Sequence, residues 1–477
     1  MSSTRVDLAV IGSGGAAFAA AIRARGLGKS VVMIERGTVG GTCLNTGCVP
    51  SKALIAAAEA RYPAADAAGR FPGIHADAGS VDMPTLVEGK QSLVESMRSA
   101  KYVDIAEAYD WPIRQGAATF TGTPDAPLLR VMAPDGSGEV IEAEHYLVAT
   151  GAQPWIPPIP GLEQVDYLTS TTAMELNEVP DSLLVLGGGD VGLELAQLFA
   201  HLGATVTMLV RSRLASREEP EVSQLLQSVF ADEGIRVVRR AEVTAIRRDD
   251  PTGQVVATAT VSGGTSEFRA DRVLVAMGRH PVTDALNLDV IEAKTGLDGA
   301  IMVDDGLATS NPRIWAAGDV TGHPEFVYVA ASHGAMAVDN AFTGVGRTID
   351  YTHLPRVTFT SPAVGAVGMT EREAIAAGYR CDCRVLPLDY VSRALVNRDT
   401  RGFIKVVRDA ESDRILGITA VAKDAGEFAA AGVYILEGQM TADQVAHAWA
   451  PYLTMAEGIK IACQSFTTDV SKLSCCA

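Results

Sequence analysis

The chain has 477 residues, too many for one hydrophobic core, and at the usual domain size it should divide into about three domains. Apolar residues make up 47% and charged residues 20%, the proportions of an ordinary soluble globular protein, and a net charge of −17 offers no basic face to nucleic acid. The most apolar region, residues 183–210, is broken by Asp190 and Glu194, and the N-terminus runs from Arg5 straight into a strand-like stretch without a signal-peptide cleavage pattern. The expectation is a cytoplasmic protein with no membrane insertion, whose seven cysteines serve catalysis or metal binding rather than a disulfide framework.

In chain order, one supersecondary unit occurs twice. Residues 8–11 read as a buried strand, followed by the turn Gly12-Ser13-Gly14-Gly15-Ala16-Ala17, an alanine-rich helix to about Arg25, and a second strand that ends at Glu35. Residues 183–186 begin the second copy, with the turn Gly187-Gly188-Gly189-Asp190-Val191-Gly192, a helix to about Leu202 and a second strand over 205–210. Each is a strand, a glycine turn and a helix start, the arrangement that lets backbone approach a pyrophosphate at the helix N-terminus. One such fingerprint is weak, but two at domain-sized separation are specific.

The copies differ where cofactor identity is read. Glu35 is placed to accept hydrogen bonds from a ribose 2′-hydroxyl, whereas the comparable place in the second copy holds Val210, with Arg211 next and Arg217 six residues further on. Arginines there would bind a 2′-phosphate that an acid would repel. The first site is therefore expected to take FAD and the second NADPH. A hairpin turn is expected near 262–265, then a buried strand over 273–276 leading into Gly278, and a short strand ending at Gly318-Asp319. From Tyr351 onward strands and then helices follow without nucleotide motifs, which reads as an interface domain.

Cys43 and Cys48 lie in the segment Gly40-Gly41-Thr42-Cys43-Leu44-Asn45-Thr46-Gly47-Cys48-Val49-Pro50-Ser51-Lys52. Their spacing allows a bridge across one turn. Pro50 suits a first helical turn, so a thiolate at Cys48 would feel a helix N-terminus and Lys52, both of which lower a thiol pKa.

This segment resembles the redox-active disulfide motif of the pyridine nucleotide–disulfide oxidoreductases, and the resemblance extends over essentially the whole chain. It implies an α/β fold: two Rossmann-like dinucleotide-binding domains plus an α+β C-terminal dimerisation domain. The domains are placed at 1–152 and 273–346 for FAD, 153–272 for NADPH and 347–477 for dimerisation. The resemblance implies FAD contacts for Gly12, Gly14, Gly15, Ala17, Glu35, Thr42, Lys52, Thr150, Gly151 and Asp319, the last on the ribityl chain. It implies NADPH contacts for Gly187, Gly189, Gly192, Arg211, Arg217 and Gly278. It also pairs Lys52 with Glu194 near the reactive flavin nitrogen, turns Cys48 toward the flavin and leaves Cys43 as the outer, exchanging thiol.

The C-terminus narrows the choice within the family. The chain ends Ser474-Cys475-Cys476-Ala477, and adjacent thiols on a tail can give two soft ligands to one thiophilic ion. Disulfide reductases of the family carry a His-Pro pair whose His, five residues before a Glu, protonates the departing thiolate. Counting back five from Glu457 gives Tyr452 instead. Reducing Hg(II) to Hg(0) adds two electrons and needs no such proton. These features resemble the mercuric reductases, in which two tyrosines help at the metal site; by position they are Tyr167 and Tyr452. That resemblance implies a homodimer in which Cys475 and Cys476 of one chain deliver Hg(II) to Cys43 and Cys48 of the other.

Many members of that branch carry an N-terminal metal-binding domain, and this chain is expected to lack it. Cys381 and Cys383 can share one strand face but read as incidental, since no His or acid cluster accompanies them in sequence, and Cys463 is expected to pack within a helix. The alternative is a large-type thioredoxin reductase or another NADPH-dependent disulfide reductase, which predicts the missing His. A metal-sequestering protein on a flavoprotein fold is the rival from a different class.

Overall fold

The computed structural model describes residues 3–472 and 474. The chain divides into two compact units. The first takes residues up to Ala53, Thr85–Trp155 and Gly278–Ile349; the second takes Leu54–Pro84, Ile156–Met277 and the chain from Asp350.

The first unit is built on β1 (Ser3–Ile11), α1 (Gly15–Gly26) and β2 (Val31–Glu35). Residues 31–34 are buried without alternation, as expected of a parallel strand covered on both faces. The sheet runs Ile113–Gln115, β2, β1, Gly138–Val148, Pro127–Met132, Ala117–Gly122, with Ile314–Ala316 beside Gly138–Val148. The strands are parallel except for the meander at the Pro127–Met132 and Ala117–Gly122 edge. The alanines of α1 explain its place: Ala16, Ala17, Ala20, Ala21 and Ala24 are all buried. Small side chains let that helix lie close against helix Val327–Thr343 in one apolar cluster.

The second unit repeats the theme with a parallel sheet in the order Arg236–Arg239, Thr205–Val210, Ser182–Leu186, Arg272–Val275. Helix Asp190–Leu202 is buried from Gly192 to Phe199, Glu194 and Gln197 included, which explains why it is apolar on nearly every side. The strand expected over 273–276 pairs in parallel with Ser182–Leu186, so it belongs to this sheet and not to a second FAD segment beginning at 273. Its continuous Val-Leu-Val character fits either buried sheet, so pairing and not pattern decides. The hairpin expected near 262–265 joins Val255–Val261 to Gly264–Ala270. Ser262 and Gly263 both have positive φ, 51° and 86°, as a two-residue turn of the right twist requires.

Downstream, five antiparallel strands run in the order Arg356–Thr358, Ala363–Gly368, Ile415–Ala422, Phe403–Asp409, Cys381–Pro387. Helices Ala425–Glu437, Ala442–His447 and Glu457–Gln464 close over a core that includes Ile404, Ile418, Phe428 and Cys463. This is the mixed α+β arrangement expected of the C-terminal region. Among the described residues no helix is long and apolar enough to cross a membrane.

Candidate redox and nucleotide sites

The two glycine turns are built alike. Gly12 has φ +105° and Gly187 φ +123°, and an added Cβ would meet Ala149 O at 2.3 Å or Ala276 O at 2.1 Å. Only glycine can hold either turn against its neighbouring strand end. Helix α1 then starts on Gly14 and helix Asp190–Leu202 on Gly189, neither with a side-chain cap. The N–H groups of each first turn are therefore left for a ligand, and an anion is the ligand they suit. The donor set of both turns fits a dinucleotide pyrophosphate. Gly15 and the buried Ala17 lie in the first turn of α1, and Gly192 lies in that of the second helix.

At the end of β2, Glu35 is held in place from both oxygens: Ser13 Oγ donates to Oε2 and the Gly37 N–H to Oε1, each at 2.6 Å. The carboxylate keeps lone pairs for a ribose hydroxyl. Thr150 donates to Val282 O at 2.7 Å, and Gly151 O accepts the Val282 N–H at 2.9 Å, so the chain returning through residue 282 pins the end of strand Gly138–Val148. Asp319 opens a short helical turn, and burial pushes its carboxyl above the usual range. The Gly318 N–H donates to His333 Nδ1 at 3.2 Å, and His333 is wholly buried with its pKa lowered to about 4, first by burial and then by His323. A neutral imidazole thus fixes the turn that presents Asp319. Sequence reasoning missed His333, which lies in an apolar helix 14 residues beyond Asp319 with no local motif.

In the second unit Arg211 and Arg217 are both exposed, and neither has a hydrogen bond or ion pair to a described residue. The loop that carries them is organised by Arg213, which donates to Glu219 O, Ser223 Oγ, Ser216 O and Glu218 O at 3.2, 2.9, 2.9 and 2.7 Å. Arg213 lies between two exposed arginines, and nothing in its local sequence marks it as the structural one. Gly278 has φ +122° and its carbonyl accepts the Trp155 N–H, which puts it in the first unit and apart in the chain's partition from the other residues assigned to the nicotinamide nucleotide.

The cysteine segment forms two short pieces of helix. Cys43 lies in α2 (Gly41–Asn45), and Cys48 is the first residue of α3 (Cys48–Arg70). Gly47 sits so tightly that a Cβ there would lie 2.9 Å from Thr42 O and 3.3 Å from Cys43 Cα, and this approach folds the one helix onto the start of the next. Thr42 is exposed, Cys43 half-buried and Cys48 exposed. The Cys43 thiol is pushed far up, first by its hydrogen bond to Cys48 and then by burial, while Lys52 pulls the other way. Cys43 is thereby disfavoured as a thiolate, while Cys48 stands at the N-terminal end of α3, a position that favours an anion.

Two further features of this centre are not apparent in the sequence. Arg98 donates from Nε and Nη2 to Asn45 Oδ1 at 3.0 and 2.9 Å, and Asn45 Nδ2 donates to Thr38 O and Val39 O at 3.2 and 3.1 Å. The interior of the Cys43–Cys48 segment is thereby tied on both sides. Tyr102 packs edge-on to Phe18 with ring centroids 4.7 Å apart, and its hydroxyl pKa is raised by burial and then by Cys43 and Cys48. Arg98, at the end of helix Met83–Arg98, and Tyr102, in the π-helical turn Ser99–Val103, lie far along the chain from the cysteines in segments that carry no signal of their own.

Glu194 is buried on helix Asp190–Leu202 and its Oε1 accepts the Phe359 N–H at 2.9 Å. Tyr167 is partly buried against the apolar cluster of the second unit. Tyr452 is exposed, as are Trp449, Leu453 and Tyr434. Glu457 heads its helix with Oε2 buried and without a hydrogen-bond partner among the described residues. Cys463 is buried in the C-terminal core, and burial pushes its thiol up to about 12. Cys475 and Cys476 lie outside the described residues.

Residues 6–334 match the family described as pyridine nucleotide-disulphide oxidoreductase, and residues 354–463 match its dimerisation domain. The mercuric reductase of Streptomyces lividans is 55% identical over 474 residues, covering 99% of both chains. That of Bacillus cereus is 43% identical over 472 residues, covering 99% of this chain and 73% of its own length. Among solved structures, the Cu(II) complex of the HOCl-induced flavoprotein disulfide reductase RclA from Escherichia coli has a TM-score of 0.87 at 27% identity, covering 98% of this chain and all of that one. With paired nucleotide turns, a Cys43–Cys48 couple at a helix start and matches over nearly its whole length, the chain belongs to the pyridine nucleotide-disulphide oxidoreductase family, and within it groups with the mercuric reductases.

Proposed function

We propose that this chain is an NADPH-dependent, FAD-containing enzyme that reduces Hg(II) to Hg(0), acting as a cytoplasmic homodimer. The observation that carries the reading is a redox cysteine pair at the start of α3 in a chain with Tyr452 where a disulfide reductase needs His. The 55% identity to a protein named mercuric reductase supports it. Family membership carries flavin and pyridine nucleotide use. Glu35 supports FAD in the first turn, and Arg211 with Arg217 support a 2′-phosphate, hence NADPH, in the second. A dimerisation domain and an exposed Trp449 and Tyr434 support the homodimer.

Bound FAD would supply the two-electron link between the nicotinamide and the site of reduction. The chain's own residues do the rest. Gly12, Gly14, Gly15 and Ala17 would hold its pyrophosphate, Thr42, Thr150 and Gly151 would line its path, and Asp319 would hold the ribityl chain. Gly187, Gly189, Gly192 and Gly278 would position NADPH. Cys48, at the start of α3, would face the flavin, and Cys43 would exchange ligands with the incoming metal. Lys52 and Glu194 would pair beside the reactive flavin nitrogen. Hg(II) arrives on Cys475 and Cys476 and passes by thiolate exchange to Cys43 and Cys48, with Tyr167 and Tyr452 completing its surroundings. It then takes two electrons and departs as Hg(0), and both sulfurs remain reduced. No proton enters this step, which is why Tyr452 can stand where the general acid of a disulfide reductase would be.

The direct test is oxidation of NADPH by the purified chain on addition of Hg(II), with mercury vapour measured in the gas phase. Vapour in proportion to NADPH consumed is expected. Stoichiometric Hg(II) binding without turnover would replace this reading with sequestration, and strong reduction of glutathione disulfide, lipoamide or thioredoxin would replace it with the disulfide reductase. For the cofactor, Arg211→Glu sets like charge against the 2′-phosphate and should raise KM for NADPH about tenfold or more with little change for NADH. Equal changes for both nucleotides would remove Arg211 from that role.

A further inference from the structure

Strand Cys381–Pro387 is the edge of the five-stranded sheet. Its register sets Cys381 opposite Asp409, Cys383 opposite Val407 and Val385 opposite Lys405, so the two cysteines and Lys405 share one face. That face is acidic and half-buried. Lys405 is 1% exposed, and its Nζ meets Glu219, Glu221 and Glu371 at 3.1, 2.9 and 2.8 Å. Cys381 Sγ lies 4.0 Å from Glu371 O. Glu219 and Glu221 are brought to this face from a distant segment of the chain, and Glu371 from the helix just before the strand.

The geometry decides what such a pair can do. Same-face neighbours on a strand are about 6.6 Å apart, and disulfides need Cβ atoms within about 4.5 Å, so the two thiols do not close on each other. A cation held end to end between two thiolates, with bonds of about 2.3 Å, needs sulfurs about 4.6 Å apart, a separation that cysteine side chains on same-face strand positions can span. Among the described residues no group of three or more His, Cys, Asp or Glu could hold a metal ion, so a tetrahedral site is not built here, while a linear one needs two sulfurs only.

Charge points the same way. Burial and then Glu371 raise both thiols, Cys383 to about 12, so neither rests as a thiolate. A dication on two thiolates is neutral overall, and the surroundings that disfavour a lone thiolate do not disfavour that product.

We propose that Cys381 and Cys383 form a second metal site, a bidentate dithiol for a two-coordinate thiophilic cation such as Hg(II). Loading is a ligand exchange: Hg(II) carried by two small monothiols breaks both of those bonds, forms one bond to each cysteine, and the two protein protons leave on the released monothiols. No electrons move, so the site holds metal without reducing it. It goes beyond the reductase reading and is tested without NADPH, so failure of either leaves the other standing.

The test uses the full chain with Cys43, Cys48, Cys475 and Cys476 all changed to Ala, titrated with HgCl2 in excess free cysteine and then freed of small molecules. One protein-bound mercury per chain is expected, with the ultraviolet band of a mercury–thiolate. C381S/C383S should lose it, and C381S or C383S alone should weaken retention about a hundredfold, because the second bond becomes intermolecular. Circular dichroism and flavin content confirm that each variant is folded. Absence of bound mercury in the parent, its persistence in C381S/C383S, or single variants that hold it as tightly as the parent would overturn the proposal.

Discussion

Cys48→Ser should lower Hg(II)-dependent NADPH oxidation by about a thousandfold or more, while NADPH oxidation by an artificial acceptor that draws directly on the flavin persists. The reason lies in the division of labour between the two sulfurs. Cys43 is disfavoured as a thiolate by its hydrogen bond to Cys48 and by burial. Cys48 is also the first residue of α3, where the helix end stabilises an anion. A serine at 48 gives neither a thiolate beside the flavin nor a second soft ligand for Hg(II). Cys43→Ser should be as inactive toward Hg(II) but keep the Cys48 thiolate, so a long-wavelength thiolate–flavin absorption should survive in that variant and vanish in Cys48→Ser. If Cys48→Ser retained substantial Hg(II) turnover, or if the absorption followed Cys43 instead, the assignment of the two sulfurs would be reversed or wrong.

The parts of this protein that could be read from sequence are those in which one short segment contains the whole physical reason. Gly12 and Gly187 each follow a buried strand and precede a helix, so the turn and the uncapped helix start follow from a dozen residues. The Ser262–Gly263 hairpin is equally local. What escaped the reading depends on distant chain. His333 holds the turn before Asp319 from another helix, and Arg98 fixes Asn45 across 53 residues. The strand at 273–276 has the same apolar character whichever sheet takes it, and only its pairing with Ser182–Leu186 shows where it belongs. Part of the acidic setting of Cys381 and Cys383 was invisible for the same reason, since Glu219 comes from a distant segment.

The other large effect concerns how Hg(II) reaches Cys43 and Cys48. The proposed dimer has two-fold symmetry and therefore two equivalent composite sites, each with the redox pair of one chain and Cys475 and Cys476 of its partner. Consider one variant lacking Cys43 and another lacking both tail cysteines. Each homodimer should be nearly inactive when Hg(II) is presented with excess competing thiol, the first for want of an exchanging sulfur and the second for want of a carrier. Co-expression allows the two to pair. In a mixed dimer with exchange between subunits, one site collects both defects and the other collects none. Random pairing makes about half of the dimers mixed, each with one working site of two, so about a quarter of the unmodified activity should return. If each tail serves its own chain, every site in every dimer carries a defect and no activity returns. Mixed dimers isolated through two different affinity tags should show about half of the unmodified activity per dimer, and their complete inactivity would rule out delivery between subunits.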